Sequence, residues 1–354
     1  GDDVLIDGTG IDVGSDGLFE VQDASYVRVT GLRVEHSSGA AILARRCEHL
    51  IIDNNSTYET MSSGVGVWRS DDVRVDSNEV RRARYAAGGA QEWISIGSCT
   101  NFLVRNNVIH DGLGADYPYV LGIDAKHSNG GVLERNHIYD VRGSAIYVDG
   151  WDTHTYDIVI RNNFLHDVTR GVSIGSERGA LVDEIDIYNN IVLRASNSGI
   201  QLSSVADDGP RERIRIFNNT IFESVQHGGG GIYVLTTNVS EITIRNNVVA
   251  FGPNWQGMIR ATAPAGITAD HNLIFGESKF PDEELAGSIE GDPLFVDTSA
   301  STPDGFRMQA GSPAIDSGSD DGAPGRDYGS TIRPADGDGS GTAEVDMGAF
   351  EYTE

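Results

Sequence analysis

The sequence predicts an all-β chain: a right-handed parallel β-helix solenoid of about ten coils with an irregular C-terminal cap. Three observations carry this. A short segment centred on an Asn pair recurs along the chain. A second strand of alternating apolar residues precedes each recurrence. The composition, with 44 Gly and abundant Asn, Asp, Val and Ile, suits short strands joined by tight turns and leaves little room for long helices.

The recurring segments are IIDNNSTY, VRVDSNEV, FLVRNNVIHD, LERNHIYDV, IVIRNNFLHDV, IDIYNNIVLRA, IRIFNNTIFES, ITIRNNVVAFG and ITADHNLIFG. Their second polar residues are taken as Asn55, Asn78, Asn107, His137, Asn163, Asn190, Asn219, Asn247 and Asn272, giving steps of 23, 29, 30, 26, 27, 29, 28 and 25 residues. Such a period fits one coil of three short strands, with the Asn at a bend. Asn tolerates left-handed backbone, and its amide can bond the same amide one coil away, which predicts an internal ladder. Leucine-rich repeats share the length, but their fixed Leu spacing is absent.

The preceding strands read AILAR, GVGVW, WISIG, GIDAK, AIYVD, GVSIG, GIQLS and GIYVL. Their alternate Ile and Val face the core, so the residues between should face solvent. Coils stack about 4.8 Å apart, so equivalent positions form columns. One outward column reads Leu43, Gly66, Ser95, Asp124, Tyr147, Ser173, Gln201 and Tyr233. The next reads Arg45, Trp68, Gly97, Lys126, Asp149, Gly175, Ser203 and Leu235. The same register places Cys47 and Cys99 two coils apart with Ser70 between them, roughly 9 to 10 Å and beyond disulfide reach, which predicts two free thiols.

Residues 1–276 are assigned to the β-helix, and 277–354 to the last coils and an Asp/Gly-rich cap packed on it. Open strand edges at the end of a solenoid invite aggregation, so a cap over the last coil is expected. The stretch from Asp316 to Asp346 offers carboxylates for Ca²⁺, with an ordinary polar loop as the alternative.

Asp and Glu outnumber Lys and Arg by 53 to 26 and are dispersed, which argues against a nucleic-acid partner. No run of eighteen apolar residues exists, so no membrane span is expected. The start at Gly1 is read as a trimmed end, so the absence of a leader there is no sign of a cytoplasmic protein, and the architecture points to an extracellular monomer.

With its NN-apolar repeat covering about Val27 to Gly276 and its SPAID…VDMGAFEY ending, the chain resembles the pectate-lyase-like superfamily of right-handed β-helices. That resemblance implies a polysaccharide bound along the solenoid face. Members include lyases, glycoside hydrolases, uronan epimerases and non-catalytic adhesins, so it does not choose a reaction. The NTD, DD, GHG and RIK series of polygalacturonase-like hydrolases is missing, as is the Lys/Arg pair of chondroitinase-B-like lyases, because the Lys126 column continues into Asp149. YVLGIDAKH, residues 119–127, is faintly similar to the YGFDPH site of alginate epimerases, departing in spacing and in Lys126 for Pro.

Functional groups concentrate between Gln91 and Arg178. The catalytic candidates are Glu92, Asp124, Lys126, His127, Asp149 and Glu177. Trp68, Trp93, Tyr117, Tyr119, Tyr147, Trp151, Arg178 and Tyr233 are candidates to line a glycan, since aromatic faces stack on the apolar C–H faces of pyranoses. Asp124 and Asp149 lie one coil apart and two residues out of register, about 8 Å between carboxylates, the range of an inverting glycosidase pair. The alternative is a plain surface ion pair of Asp149 with Lys126, leaving Glu92 or Glu177 as the substitute carboxylate. A lyase or epimerase on a uronate polymer would instead use Lys126 or His127 as base, with Asp124, Asp149 and Asp152 holding Ca²⁺, although Asp149 cannot well serve both Lys126 and a metal. His110, His137 and His166 read as turn or ladder residues. The favoured function is extracellular cleavage of a polysaccharide by carboxylate-assisted hydrolysis. The lyase or epimerase and a non-catalytic glycan-binding module remain open.

Overall fold

The computed structural model describes residues 4–83, 92–112, 120–205, 207–224, 229–250, 259–276, 285–337 and 339–353. Each coil contributes three strands, and every strand pairs in parallel with its counterpart one coil on. The first sheet runs from Gly17–Gln22 through Ala40–Arg45, Val65–Trp68, Glu92–Gly97 and Val120–Lys126 to Ile259–Ala261. The second has eleven strands among the described residues, ten of them stacked from Arg28–Thr30 to Ile267–Asp270 and the short Val239–Ser240 beside them. The third runs from Val4–Asp7 through the strands after the Asn bends to Ile289–Glu290. In two coils the third and first sheets are joined by one continuous strand, His137–Asp149 and Phe164–Gly175. Inward Val, Ile and Leu from all three sheets form one long core.

The bend ladder is present. Asn78, Asn107, Asn136, Asn163, Asn190, Asn219, Asn247 and Asn272 each accept, at Oδ1, both the backbone N–H and the side-chain amide of the ladder Asn one coil before, beginning with Asn55, at 2.9–3.1 Å. The ladder member in the fourth segment is therefore Asn136, not His137. In that segment Arg135 replaces the first Asn, and His137 opens the next strand. With His110, Tyr139, Phe164 and His166 it forms a ring stack on the outer surface of the third sheet, so the three histidines are strand residues.

The two cysteines are free and buried, Cys47 N–H donating to Ser70 Oγ and Cys99 N–H to Ser128 Oγ at 3.0 Å each. Burial pushes the Cys99 thiol up to about 11.

Residues 285–291 stack on the last coil, and the tail beyond them runs back along the flank. The first polar residue of each bend has left-handed backbone and points outward. There the amides of Asn246, Asn218, Asn189 and Asn162 donate to the carbonyls of Ser319, Asp346, Arg326 and Tyr328, and Arg135 reaches Ser330. Phe295, Phe306, Met308, Met347 and Phe350 complete this contact on outward apolar residues of the third sheet, including Phe164, Ile191, Leu193 and Val248. A buried Arg333–Glu351 ion pair of 2.6 Å ties the segment together.

Candidate active site

The two columns fall as the alternation requires. Ser95 pairs with Asp124, Asp124 with Tyr147, Tyr147 with Ser173, Ser173 with Gln201 and Gln201 with Tyr233. Beside them Gly97 pairs with Lys126, Lys126 with Asp149 and Asp149 with Gly175. Their expected solvent exposure is not found: Asp124 is 1% exposed, Asp149 0% and Tyr147 5%. Alternation fixes the side of the sheet to which a residue points; what lies over that side is decided elsewhere in the chain.

Asp124 is the most unusual group. Neither carboxyl oxygen has a hydrogen-bond partner among the described residues. Burial raises it well above the usual carboxylate range; Lys126 opposes that shift, and the charges of Glu92, Asp149 and Glu177 add to it. A carboxyl in this setting favours its protonated form more than an ordinary aspartate does.

Lys126 Nζ lies 3.5 Å from Glu92 Oε1 and 3.9 Å from Asp124 Oδ2. The expected direct pairing with Asp149 is not formed. Asp149 Oδ1 instead accepts the backbone N–H groups of Trp151 and Glu177, at 2.9 and 3.1 Å, while its Oδ2 has no hydrogen-bond partner among the described residues. Burial pulls Lys126 down, but Asp124, Glu92, Asp149 and Glu177 outweigh it and raise it, so the ammonium holds its charge. Trp151 is held between two cations, with Lys126 Nζ 4.8 Å and the Arg178 guanidinium 4.2 Å from its ring centre.

Tyr147 lays its ring on Gly175, where an added Cβ would come within 2.1 Å of the hydroxyl, and donates that hydroxyl to Glu177 Oε1 at 2.9 Å. Burial raises the phenol, with Asp149 and Glu177 adding to it. Burial also pulls the His127 imidazole below its ordinary value, and its Nε2 lies 3.5 Å from Asp152 Oδ1.

Seven of the candidates thus form one cluster on consecutive coils: Glu92, Asp124, Lys126, Asp149, Tyr147, Trp151 and Glu177, with His127, Asp152 and Arg178 at its margin. Trp68 lies flat over Gly97 of the next coil, where a Cβ would meet its ring at 2.4 Å, and so continues the Lys126 column towards the N-terminal coils. There it lines a cleft of about 730 Å³ with Leu43, Arg45 and Arg69. Tyr233 stands three coils beyond Tyr147, under Arg260 at 4.9 Å.

Trp93 does not line a glycan path. It is fully buried in the core. It stands at the corner where the other coils carry Ala41, Gly64, Gly122, Ala145, Gly171 and Gly199; there the alternation breaks, the side chain turns inward, and neighbouring Glu92 swings out to Lys126. Tyr117 and Tyr119 lie outside the described residues.

One contributor escaped the sequence reading. Arg211 is fully buried, donates to Asp208 Oδ1 and Ser203 O at 2.6 and 2.5 Å, and feels Tyr147 and Asp149 electrostatically. It opens a strand of the second sheet, where nothing in the columns signals it. Serines and amides also extend the polar face: Ser144 Oγ is 2.9 Å from Ser173 Oγ, and Arg170 donates to Gln201 at 2.8 Å.

Among the described residues no three His, Cys, Asp or Glu side chains are grouped to hold a metal ion; within the cluster the cation is the Lys126 ammonium, and Asp149 Oδ1 is taken by backbone N–H groups. In the tail, Asp346 likewise accepts two backbone N–H groups, from Asp316 and Tyr352, and burial pushes it up to about 7.

Residues 16–159 and 94–274 match the sequence profile of the family described as Right handed beta helix region. The chain belongs to this family. No curated protein matches this β-helix by sequence. Among solved structures it is similar to the tailspike protein of E. coli bacteriophage HK620 in complex with a pentasaccharide, at 12% identity and a TM-score of 0.51, covering 81% of this chain and 58% of that one. The structure of XylC with xylose matches at 11% identity and a TM-score of 0.50, covering 93% and 67%. Pectate lyase Pel9A matches at 14% and 0.49, covering 95% and 87%. The β-helix spans little more than half of the tailspike, and at such identities the likeness is one of fold. Among the described residues no helix is long and apolar enough to cross a membrane.

Proposed function

We propose that this β-helix acts outside the cell on a polysaccharide and cleaves its glycosidic bonds by hydrolysis at the Asp124–Asp149 cluster. The observation that carries this reading is the buried Asp124 carboxyl, which has no hydrogen-bond partner among the described residues and which burial raises well above the usual carboxylate range. A proton so placed is a general acid for a glycosidic oxygen. Asp149, one coil and two residues away, has an unpartnered Oδ2 with which to take a proton from water. The separation of about 8 Å expected from coil stacking leaves room for that water and predicts inversion at the anomeric carbon. Glu177, fixed by the Tyr147 hydroxyl, is the alternative base.

A second reading has its own support. His127, kept neutral by burial, stands next to the charged Lys126, a base beside a cation that could neutralise a uronate carboxylate. This favours His127 over Lys126 as the base of an elimination.

Incubation with neutral and uronate polysaccharides separates the two. Hydrolysis yields new reducing ends alone, whereas elimination also yields an unsaturated uronide seen by ultraviolet absorbance. For a hydrolase, Asp124→Asn should lower kcat by about 10²–10⁴ and remove the alkaline fall of the pH profile, since activity is lost as Asp124 ionises. Unsaturated product on uronates with Asp124→Asn fully active would refute the hydrolytic assignment.

A further inference from the structure

On the side away from the Asp124 cluster, the returning tail and the second sheet enclose a cleft of about 560 Å³, within the range of small-molecule sites. Its lining is unusual for a chain of net charge −27, since four arginines reach it: Arg135, Arg161, Arg215 and Arg326. Two of them are compensated, Arg161 by Glu134 at 2.8 Å and Arg215 by Asp186. Arg135 and Arg326 make no ion pair among the described residues. Their hydrogen bonds go to Ser330, one to its hydroxyl at 3.4 Å and one to its carbonyl at 2.8 Å.

Both guanidiniums are exposed at the cleft, one from a bend of the solenoid and one from the tail. The Tyr188 ring, the Asn162 amide and the Glu134 and Asp186 carboxylates of the compensated pairs line the same cleft. A planar guanidinium fork matches a carboxylate bidentately. Carboxylates and amides take up hydroxyl groups, and an aromatic ring takes up an apolar C–H face. We propose that this cleft binds a small carboxylated sugar, its carboxylate on Arg135 and Arg326 and its hydroxyls on the Glu134 and Asp186 side. The site is separate from the cleavage reading and does not depend on it.

Isothermal titration of the full chain with glucuronate, glucose and inorganic phosphate tests this. Glucuronate should saturate the protein and its Asp124→Asn variant alike, glucose should bind at least about tenfold more weakly, and an Arg135→Ala/Arg326→Ala variant with unchanged Tm should lose about tenfold or more in glucuronate affinity. No saturable binding of glucuronate would overturn the proposal. So would a double variant that titrates like the parent, phosphate that competes as strongly as glucuronate, or binding abolished by Asp124→Asn alone, which would put the sugar on the first sheet.

Discussion

Replacing Asn163 by Ala removes one rung of the internal ladder at the middle of the stack, and the hydrogen bonds give the size of the effect. The Asn163 amide donates to Leu133 O and Asn190 Oδ1, and its Oδ1 accepts the backbone N–H and the side-chain amide of Asn136, all at 2.9–3.0 Å in a fully buried setting. Not every partner is stranded. Asn190 Oδ1 keeps the backbone N–H of residue 163, and the Asn136 amide keeps Val104 O. The Asn136 backbone N–H loses the one acceptor recorded for it. An orphaned buried donor costs about 1–3 kcal/mol, and each of the three further bonds lost adds about 1 kcal/mol, so Asn163→Ala should destabilise the fold by roughly 4–6 kcal/mol. Urea denaturation followed by far-ultraviolet circular dichroism, compared at equal m-value, measures this. Asn163→Asp should cost as much, because a carboxylate cannot donate. A loss below about 1 kcal/mol in both variants would refute the ladder as a source of stability.

Three further outcomes follow from the geometry. Burial, with His166 and His110 adding to it, pulls the His137 imidazole down to about 4. The unfolded chain takes up that proton near pH 6.5, so stability is complete above about 6.5 and falls as pH drops towards 4, by about 1–2 kcal/mol for this partly solvated group. Parent Tm should therefore fall more than that of His137→Phe between pH 7 and 4.5, and equal falls would exclude the histidine as the cause. Arg333→Met leaves Glu351 buried without its cation and takes a donor from Asn189, for an expected loss of about 3–5 kcal/mol read by thermal unfolding. Gly97→Ala drives a methyl group into the Trp68 ring, which should shift tryptophan fluorescence and, if Trp68 holds a sugar, raise KM several-fold with kcat little changed.

Strand register was legible because a period of two admits no drift: one Ile or Val on the wrong side would expose a whole coil, so Asp124, Lys126, Tyr147 and Asp149 fell into place from spacing alone. The corner was not legible. Where the chain turns between sheets the period is interrupted, and a residue counted as outward, Trp93, goes into the core. The bend failed by one position for a related reason, since His137 beside Asn136 looks as polar as the second Asn of any other pair. Burial of the site and the charge of Arg211 depend on segments distant in sequence, which no local pattern reports.

The backward course of the tail changes how the molecule comes apart. A plain stack of coils is coupled only between neighbours, so it can lose its end coil by coil. Here the tail binds five successive bends, Asn246 through Ser319, Asn218 through Asp346, and Asn189, Asn162 and Arg135 through residues 326–330, and no one of these coils can leave without peeling a tail shared with the others. The C-terminal half should therefore open as a single unit, and hydrogen exchange should begin in the unbound coils ahead of Arg135, a mechanical polarity that the even repeat of the sequence conceals.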